Sequence, residues 1–233
     1  MTEFKNGLKD GIPIALGYLA VSFSVGIMIV SGGMSALQGA LMSLTNVTSA
    51  GQFAGIRIIA AGGALLEMAL TQFIINLRYA LMSLSLSQNL DKDVKLWQRF
   101  VIAFANTDEI FAVAMSRQRT LAFPYMLGLQ LLPVAGWTGG TVLGAVACHL
   151  MPEAVSTAMN VMLYGMFIAV VIPEARKKRP VLMVSLLAVA LSCLFAYVPA
   201  LSGMSDGMVI IICTIVAAGT GALICPVKEQ EEQ

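Results

Sequence analysis

Charge is what this 233-residue chain has least of, and its scarcity excludes several function classes at once. Asp, Glu, Lys and Arg make up 12% of the residues, and none occurs from Gly11 to Ile56. A typical soluble domain carries roughly 25%. Histidine occurs once, at His149, and the four cysteines (Cys148, Cys193, Cys213 and Cys225) lie in apolar segments without CxxC or metal-ligand spacing. No metal site is expected, and the cysteines read as small packing residues. His149, at the end of an apolar run, reads as interfacial. A single histidine supplies no paired metal ligands and no nucleophile–base constellation, and no phosphate-binding glycine loop leads into a helix. The chain is read as no enzyme, with no cofactor. A net charge of +1 without a basic, aromatic-laced surface gives nucleic acid nothing to hold.

What is present is apolar. The chain is 58% hydrophobic, with a mean hydropathy of +0.83. The uncharged stretch alone accommodates two membrane spans of about 20 residues each. The fold class expected is an all-α polytopic integral membrane protein of about seven to eight transmembrane helices, some broken or re-entrant. It forms a single domain over 1–233, with a short polar leader at 1–10 and an acidic tail at 226–233. The first apolar run is too long for a cleavable signal peptide.

The expected spans are Ile12–Val30, Ala36–Ile56, the run after Arg57 to about Ser87, Arg99–Ser116, Ala122–Cys148, Ala158–Ile172, Pro180–Val198 and Met208–Ile224. Gly32-Gly33 makes the first turn, and Pro13 takes a first-turn position. The third run is too long for one perpendicular helix, so it must tilt, break or leave the bilayer. With eight crossings, Lys5, Lys9, Arg57, Arg117, Arg119, Arg176–Arg179 and Lys228 fall on one side, and only Lys92, Lys95 and Arg99 on the other. The positive-inside rule then makes both termini cytoplasmic. If Arg99–Ser116 is instead a re-entrant hairpin, the count drops to seven or fewer.

The polar residues inside apolar runs carry the functional argument, because an ionisable group in a bilayer costs a few kcal/mol and usually faces water or a partner. Ser43 to Gln52 concentrates hydroxyls, amides and a glycine where lipid calls for alkyl groups. Two readings stay open there: helix–helix packing, or a helix broken at mid-membrane whose freed backbone contacts a ligand. Pro133–Gly140 is expected to interrupt the fifth span; the chain shows no clear internal repeat, and its likeness to Asn46–Gly51 as corresponding positions of two halves is weak. Glu67 and Arg78 lie eleven residues apart, on one face and roughly 16 Å from each other if the helix is continuous. Each needs another partner, and Asp108 or Glu109 is available for Arg78.

An anion, a cation and several neutral donors suit a zwitterionic amino acid. Its ammonium can meet Asp108 or Glu109. Its carboxylate can meet Arg78 or free N–H groups near Gly51, and Phe53, Phe73, Phe104 and Phe111 can wall an aliphatic side chain. The candidate binding residues are Asn46, Thr48, Gly51, Gln52, Asn76, Arg78, Asp108 and Glu109. Glu67, Asp108 and Glu109 are candidates for coupling, since two adjacent carboxylates in low dielectric do not both stay charged cheaply. The plain alternative is an ion pair that only stitches helices together.

Gly11-Ile12-Pro13 with Gly17-Tyr18, then Ser49-Ala50-Gly51-Gln52-Phe53-Ala54, Asn76-Leu77-Arg78-Tyr79 and Thr107-Asp108-Glu109 resemble the AzlC-type branched-chain amino acid permeases. The likeness runs from about residue 7 to 225. It implies export of branched-chain amino acids across the bacterial inner membrane, with membrane lipid around the chain and a small AzlD-type membrane subunit as partner. Tyr79 stands where the family commonly has histidine, and Glu67 matches no family position. Two other readings stay open: a transporter or channel for another small solute, and a non-transporting assembly subunit.

Overall fold

A computed structural model of the chain describes residues 2–117, 120–150, 175–199 and 203–225, with 165, 168 and 171–173 and without the His149 side chain. The described residues are helical apart from loops and one isolated bridge, Leu90 with Leu121. Among the described residues, four helices are long and apolar enough to cross a bilayer. The expected span Ala158–Ile172 lies mostly outside the described residues, as do Arg119 and the acidic tail. The chain packs as two compact units, Met1–Ile56 with Ile75–Leu163, and Arg57–Ile74 with Tyr164–Gln233.

The first unit is built on two long helices, α1 (Thr2–Ser31) and α7 (Phe123–Ala147). Gly7 faces Tyr125 and Leu129, Gly11 faces Leu129 and Pro133, Gly136 faces Ala15, Gly140 faces Leu19, and Gly144 faces Phe23. Each step along α1 matches an equal step along α7, so the two run parallel. A Cβ at Gly11 would stand 2.7 Å from the Leu129 carbonyl oxygen, closer than atoms tolerate. The glycines therefore allow backbone-to-backbone approach, as small residues do between membrane helices.

This seam corrects two expectations. The first helix does not begin at Ile12 after a polar leader: α1 is helical from Thr2, which places Pro13 inside it and not in its first turn. Nor is there an interruption at Pro133–Gly140, because α7 runs unbroken through it. Pro133, Gly136 and Gly140 face α1, whose packing outweighs their weak helix propensity.

The breaks fall elsewhere. After the turn at Gly33, whose φ of 81° suits glycine, α2 (Ala36–Thr45) stops, and α3 (Ser49–Ala60) begins after three intervening residues. Ser35 and Gln38 form a reciprocal capping box that starts α2. The long third run breaks too, at Gly62 (φ 66°), leaving Arg57 on α3 and starting α4 (Leu65–Asn89). The expected span Arg99–Ser116 is two helices, α5 (Leu96–Phe104) and α6 (Asp108–Ser116).

These two return to where they started. Trp97, in the first turn of α5, stacks edge-on with Phe123 at 5.3 Å. Arg117, just past α6, lies 3.8 Å over the Tyr125 ring and 3.0 Å from Glu3. Phe123 and Tyr125 are two residues apart at the start of α7, so both ends of the α5–α6 pair lie at one end of the bundle. Asp91 N–H to Leu121 O and Leu121 N–H to Asn89 O, both near 3 Å, close that end. The pair is a re-entrant hairpin and not a crossing. Lys92, Lys95 and Arg99 therefore belong with Lys5, Lys9 and Arg117, and the expected separation of these two groups is corrected.

In the second unit, α8 (Arg179–Tyr197) and α9 (Asp206–Ile224) pack together, with Gly221 against Val184. They match the last two expected spans to within two residues at either end. Nothing on α8 is buried, as befits a helix facing acyl chains.

Candidate functional site

Both breaks in the first unit end the same way. Thr48 precedes α3, and its Oγ1 accepts the Gly51 N–H at 3.4 Å. Thr107 caps α6, and its Oγ1 accepts the Ile110 N–H at 3.5 Å. Both threonines are buried, and threonine is a favoured residue for satisfying the first N–H groups of a helix. An asparagine stands in each break, Asn46 as the C-cap of α2 and Asn106 just before Thr107. Asp108 and Glu109 thus form the first turn of a half-helix, where the dipole favours anions. They begin a helix, although they fall midway along the expected span Arg99–Ser116. A threonine followed directly by two acids is itself a helix-start signal, and it could have placed this break.

Arg78, on α4, reaches into that turn. Its Nη1 lies 2.7 Å from Asp108 Oδ2, with the two side chains 46% and 44% exposed. Nη2 donates to Tyr79 Oη at 3.2 Å, and the guanidinium sits 4.9 Å from the same ring. Tyr79 Oη donates to Thr48 Oγ1 at 3.3 Å, and Thr48 donates to Asn76 Oδ1 at 3.0 Å. One directed chain of hydrogen bonds therefore links the two breaks through α4. Glu109 turns the other way, as adjacent helical residues do. It accepts a hydrogen bond from Tyr18, whose hydroxyl is also 2.6 Å from Thr107 Oγ1.

A second, fully buried network holds the first break in place. Trp137 Nε1 donates to Gln52 Oε1 at 2.9 Å, and Gln52 Nε2 donates to Ser43 Oγ at 2.7 Å. Ser43 Oγ meets Thr141 Oγ1 at 2.7 Å. A Ser43–Gln52 hydrogen bond needs their Cα atoms within roughly 10 Å, whereas nine residues of straight helix span about 13.5 Å. The chain therefore bends at the break. Trp137 also meets the Tyr18 ring edge-on at 5.4 Å, joining the two networks.

Of the expected binding residues, Thr48, Asn76, Arg78 and Asp108 come together in one chain of contacts, with Glu109 beside it. Gly51 lies in the first turn of α3, and Asn46 closes α2. Gln52 is fully buried with both ends of its amide engaged, so it supports the break from behind. Glu67 lies in the other unit, where Oε1 accepts the Gly207 N–H at 3.0 Å in the first turn of α9. There Arg57 pairs with Asp206 at 2.7 Å. Of the proposed aromatic walls, Phe53, Phe104 and Phe111 belong to the first unit and Phe73 to the second. Tyr18, Tyr79, Ser43, Trp137 and Thr141 were not singled out as site residues, because Tyr, Trp and hydroxyl residues in apolar runs carry no spacing that distinguishes a network from packing.

Among the described residues no group of three or more His, Cys, Asp or Glu side chains is placed to hold a metal ion. Gly203-Met204-Ser205-Asp206-Gly207 has the spelling of a nucleophile elbow. That motif needs a strand leading into the serine, and here Ser205 is the N-cap of α9 with no strand among the described residues.

The family model described as AzlC protein matches residues 13–151, the segment that holds both breaks, Arg78 and Trp137. Inner membrane protein YgaZ of Escherichia coli is 28% identical over 196 residues, covering 81% of this chain and 80% of that protein. An uncharacterized membrane protein of Archaeoglobus fulgidus is 31% identical over 191 residues, covering 81% of this chain and 84% of its own length. One of Helicobacter pylori is 28% identical over 177 residues, or 70% of this chain and 77% of that protein. No solved structure matches the chain. With the family match covering more than half its length and spanning the whole polar network, this all-α membrane protein belongs to the AzlC family.

Proposed function

We propose that this chain is a secondary transporter that carries branched-chain amino acids outward across the bacterial inner membrane. Valine, leucine and isoleucine are the substrates, with methionine a further candidate. The observation that carries the proposal is the Arg78–Asp108 pair, nearly half exposed, at the point where a half-helix begins and linked through Tyr79 to a second break. Transporter sites are commonly built from such discontinuous helices. Without substrate the two charges satisfy each other. An entering zwitterion exchanges one ion pair for two, its carboxylate on Arg78 and its ammonium on Asp108, so the site is never left with an unpaired charge. Asn46, Thr48, Gly51 and Asn76 line the first break as neutral donors and acceptors, with Gln52 behind them and Glu109 as the second carboxylate. Lys5, Lys9, Lys92, Lys95, Arg99 and Arg117 at one end of the first unit support a cytoplasmic placement of that end, and with it the amino terminus. A small AzlD-type membrane subunit is part of the same proposal.

The test is counterflow of labelled leucine in proteoliposomes holding the purified chain, alone and with such a subunit. Wild-type uptake, lost in Asp108→Asn, is expected. Normal transport by a membrane-inserted Asp108→Asn would overturn the assignment of the carboxylate.

A further inference from the structure

A cavity of about 220 Å³ opens between the last turns of α4 and α5, and its wall residue Ser83 accepts a hydrogen bond from Asn106 of the second break at 3.1 Å. Its lining is apolar, with Leu86, Leu90 and Ile102 buried and Leu96 and Phe100 each 70% exposed. The polar groups on its wall are Ser83, Ser87 and Arg99. Arg99 donates to Ser87 Oγ at 2.6 Å and to Val94 O at 3.4 Å, which leaves several of its five N–H groups uncommitted. Arg57, Arg78 and Arg117 each pair with a carboxylate, whereas Arg99 meets none among the described residues.

Depth along the bundle settles what such a cation faces. Arg99 lies one turn into α5, just past the loop that carries Asp91, Lys92, Asp93 and Lys95. Trp97 lies beside it, and tryptophan collects at the headgroup level of a bilayer. Exposed Leu96 and Phe100 then point at acyl chains. A guanidinium at headgroup depth over an apolar slot fits a phosphate with a fatty chain below it. Lys92 and Lys95 in that loop are balanced by Asp91 and Asp93, so Arg99 supplies the positive charge at the cavity. A zwitterionic amino acid fits less well, since no carboxylate lines the cavity to receive its ammonium.

We infer that this cavity is a binding site for an anionic phospholipid, with the phosphate on Arg99 and an acyl chain along Leu96 and Phe100. The test uses native mass spectrometry of the purified full chain, offered phosphatidylglycerol and phosphatidylcholine in equal amounts. Wild type is expected to retain phosphatidylglycerol by about fivefold over phosphatidylcholine, the scale of one interfacial basic residue. Arg99→Gln removes that preference and Arg99→Lys keeps most of it. Ala103→Phe, which fills the cavity with the charge intact, lowers retention of both lipids. Lys5→Gln, which removes an exposed charge elsewhere at the same end, leaves retention unchanged. Wild-type retention in both Arg99→Gln and Ala103→Phe would overturn the site. So would displacement of phosphatidylglycerol from wild type by excess leucine, which would assign the cavity to the transported solute.

Discussion

Two arginine–aspartate pairs in this protein have the same length, 2.7 Å, and similar exposure, yet their surroundings differ. Arg57–Asp206 lies in the second unit at the start of an intact helix, α9, beside the Glu67–Gly207 hydrogen bond. Carboxylates at a helix N-terminus satisfy orphan N–H groups and the dipole, and need no further role. Arg78–Asp108 lies in the first unit, also at a helix start, but this helix is the second half of a broken pair. Its arginine continues through Tyr79 to Thr48 in the other break. An ion pair alone therefore says little about function. The irregular backbone and the chain of hydroxyls around it distinguish the two.

The largest effect expected from this contrast is on flux. Asp108→Asn removes the counter-ion for a substrate ammonium, a charged hydrogen bond whose loss lowers leucine counterflow by about 100-fold. Because the pair is nearly half exposed, its contribution to stability is about 1 kcal/mol or less, and the variant should unfold within a few degrees of wild type. Arg78→Gln should behave likewise. A variant that fails to insert or melts far below wild type would mean the two pairs do the same structural task.

How much of this was legible in the sequence follows the same divide. The membrane class and the last two spans are written in long uncharged runs. Arg78 and the Asp108-Glu109 pair stand out because charge is costly in that solvent. Ser43–Gln52 left helix packing and a break both open, and the structure has both: the helix breaks at Asn46–Thr48, while Ser43 and Gln52 bond to Thr141 and Trp137 on α7. The α5–α6 return could be read only as an alternative to a crossing, since two nine-residue helices and a three-residue link add up to one plausible span. Pro133 and the α7 glycines misled in the opposite direction. Their helix-breaking propensity is local, whereas the α1 backbone they pack against is more than a hundred residues away in sequence.

A smaller effect, on both stability and flux, is expected behind the first break. Gln52→Leu leaves Trp137 Nε1 and Ser43 without their buried amide partner, costing about 1–3 kcal/mol. The bend at residues 46–48 then loosens, and counterflow falls by roughly tenfold, the effect of about 1.4 kcal/mol. Thermal unfolding and counterflow measured on the same preparation separate this variant from Asp108→Asn, which loses flux alone. Equal stability of Gln52→Leu and wild type would show that the network does not hold the break.

In the second unit the changes should be slight. Glu67→Gln keeps an oxygen for the Gly207 N–H and loses only the charge at the α9 terminus, worth about 0.3–1 kcal/mol. Its flux should stay within about twofold of wild type. A loss comparable to that of Asp108→Asn would return Glu67 to the coupling role that its place in an apolar run first suggested.

The smallest effect belongs to Asp206→Asn, and it tests the comparison most directly, because the substitution is chemically identical to Asp108→Asn. The Arg57 and Asp206 side chains are 48% and 51% exposed, so neither is deeply buried in protein and the pair contributes about 0–1 kcal/mol. Asparagine keeps an oxygen in the first turn of α9, which limits the loss further. Unfolding should shift by no more than a few degrees, and less in high salt, where exposed pairs are screened. Leucine counterflow should not change. If Asp206→Asn instead abolished transport with the fold intact, the broken helices would no longer mark which ion pair meets the substrate. The solute route would then have to include the second unit.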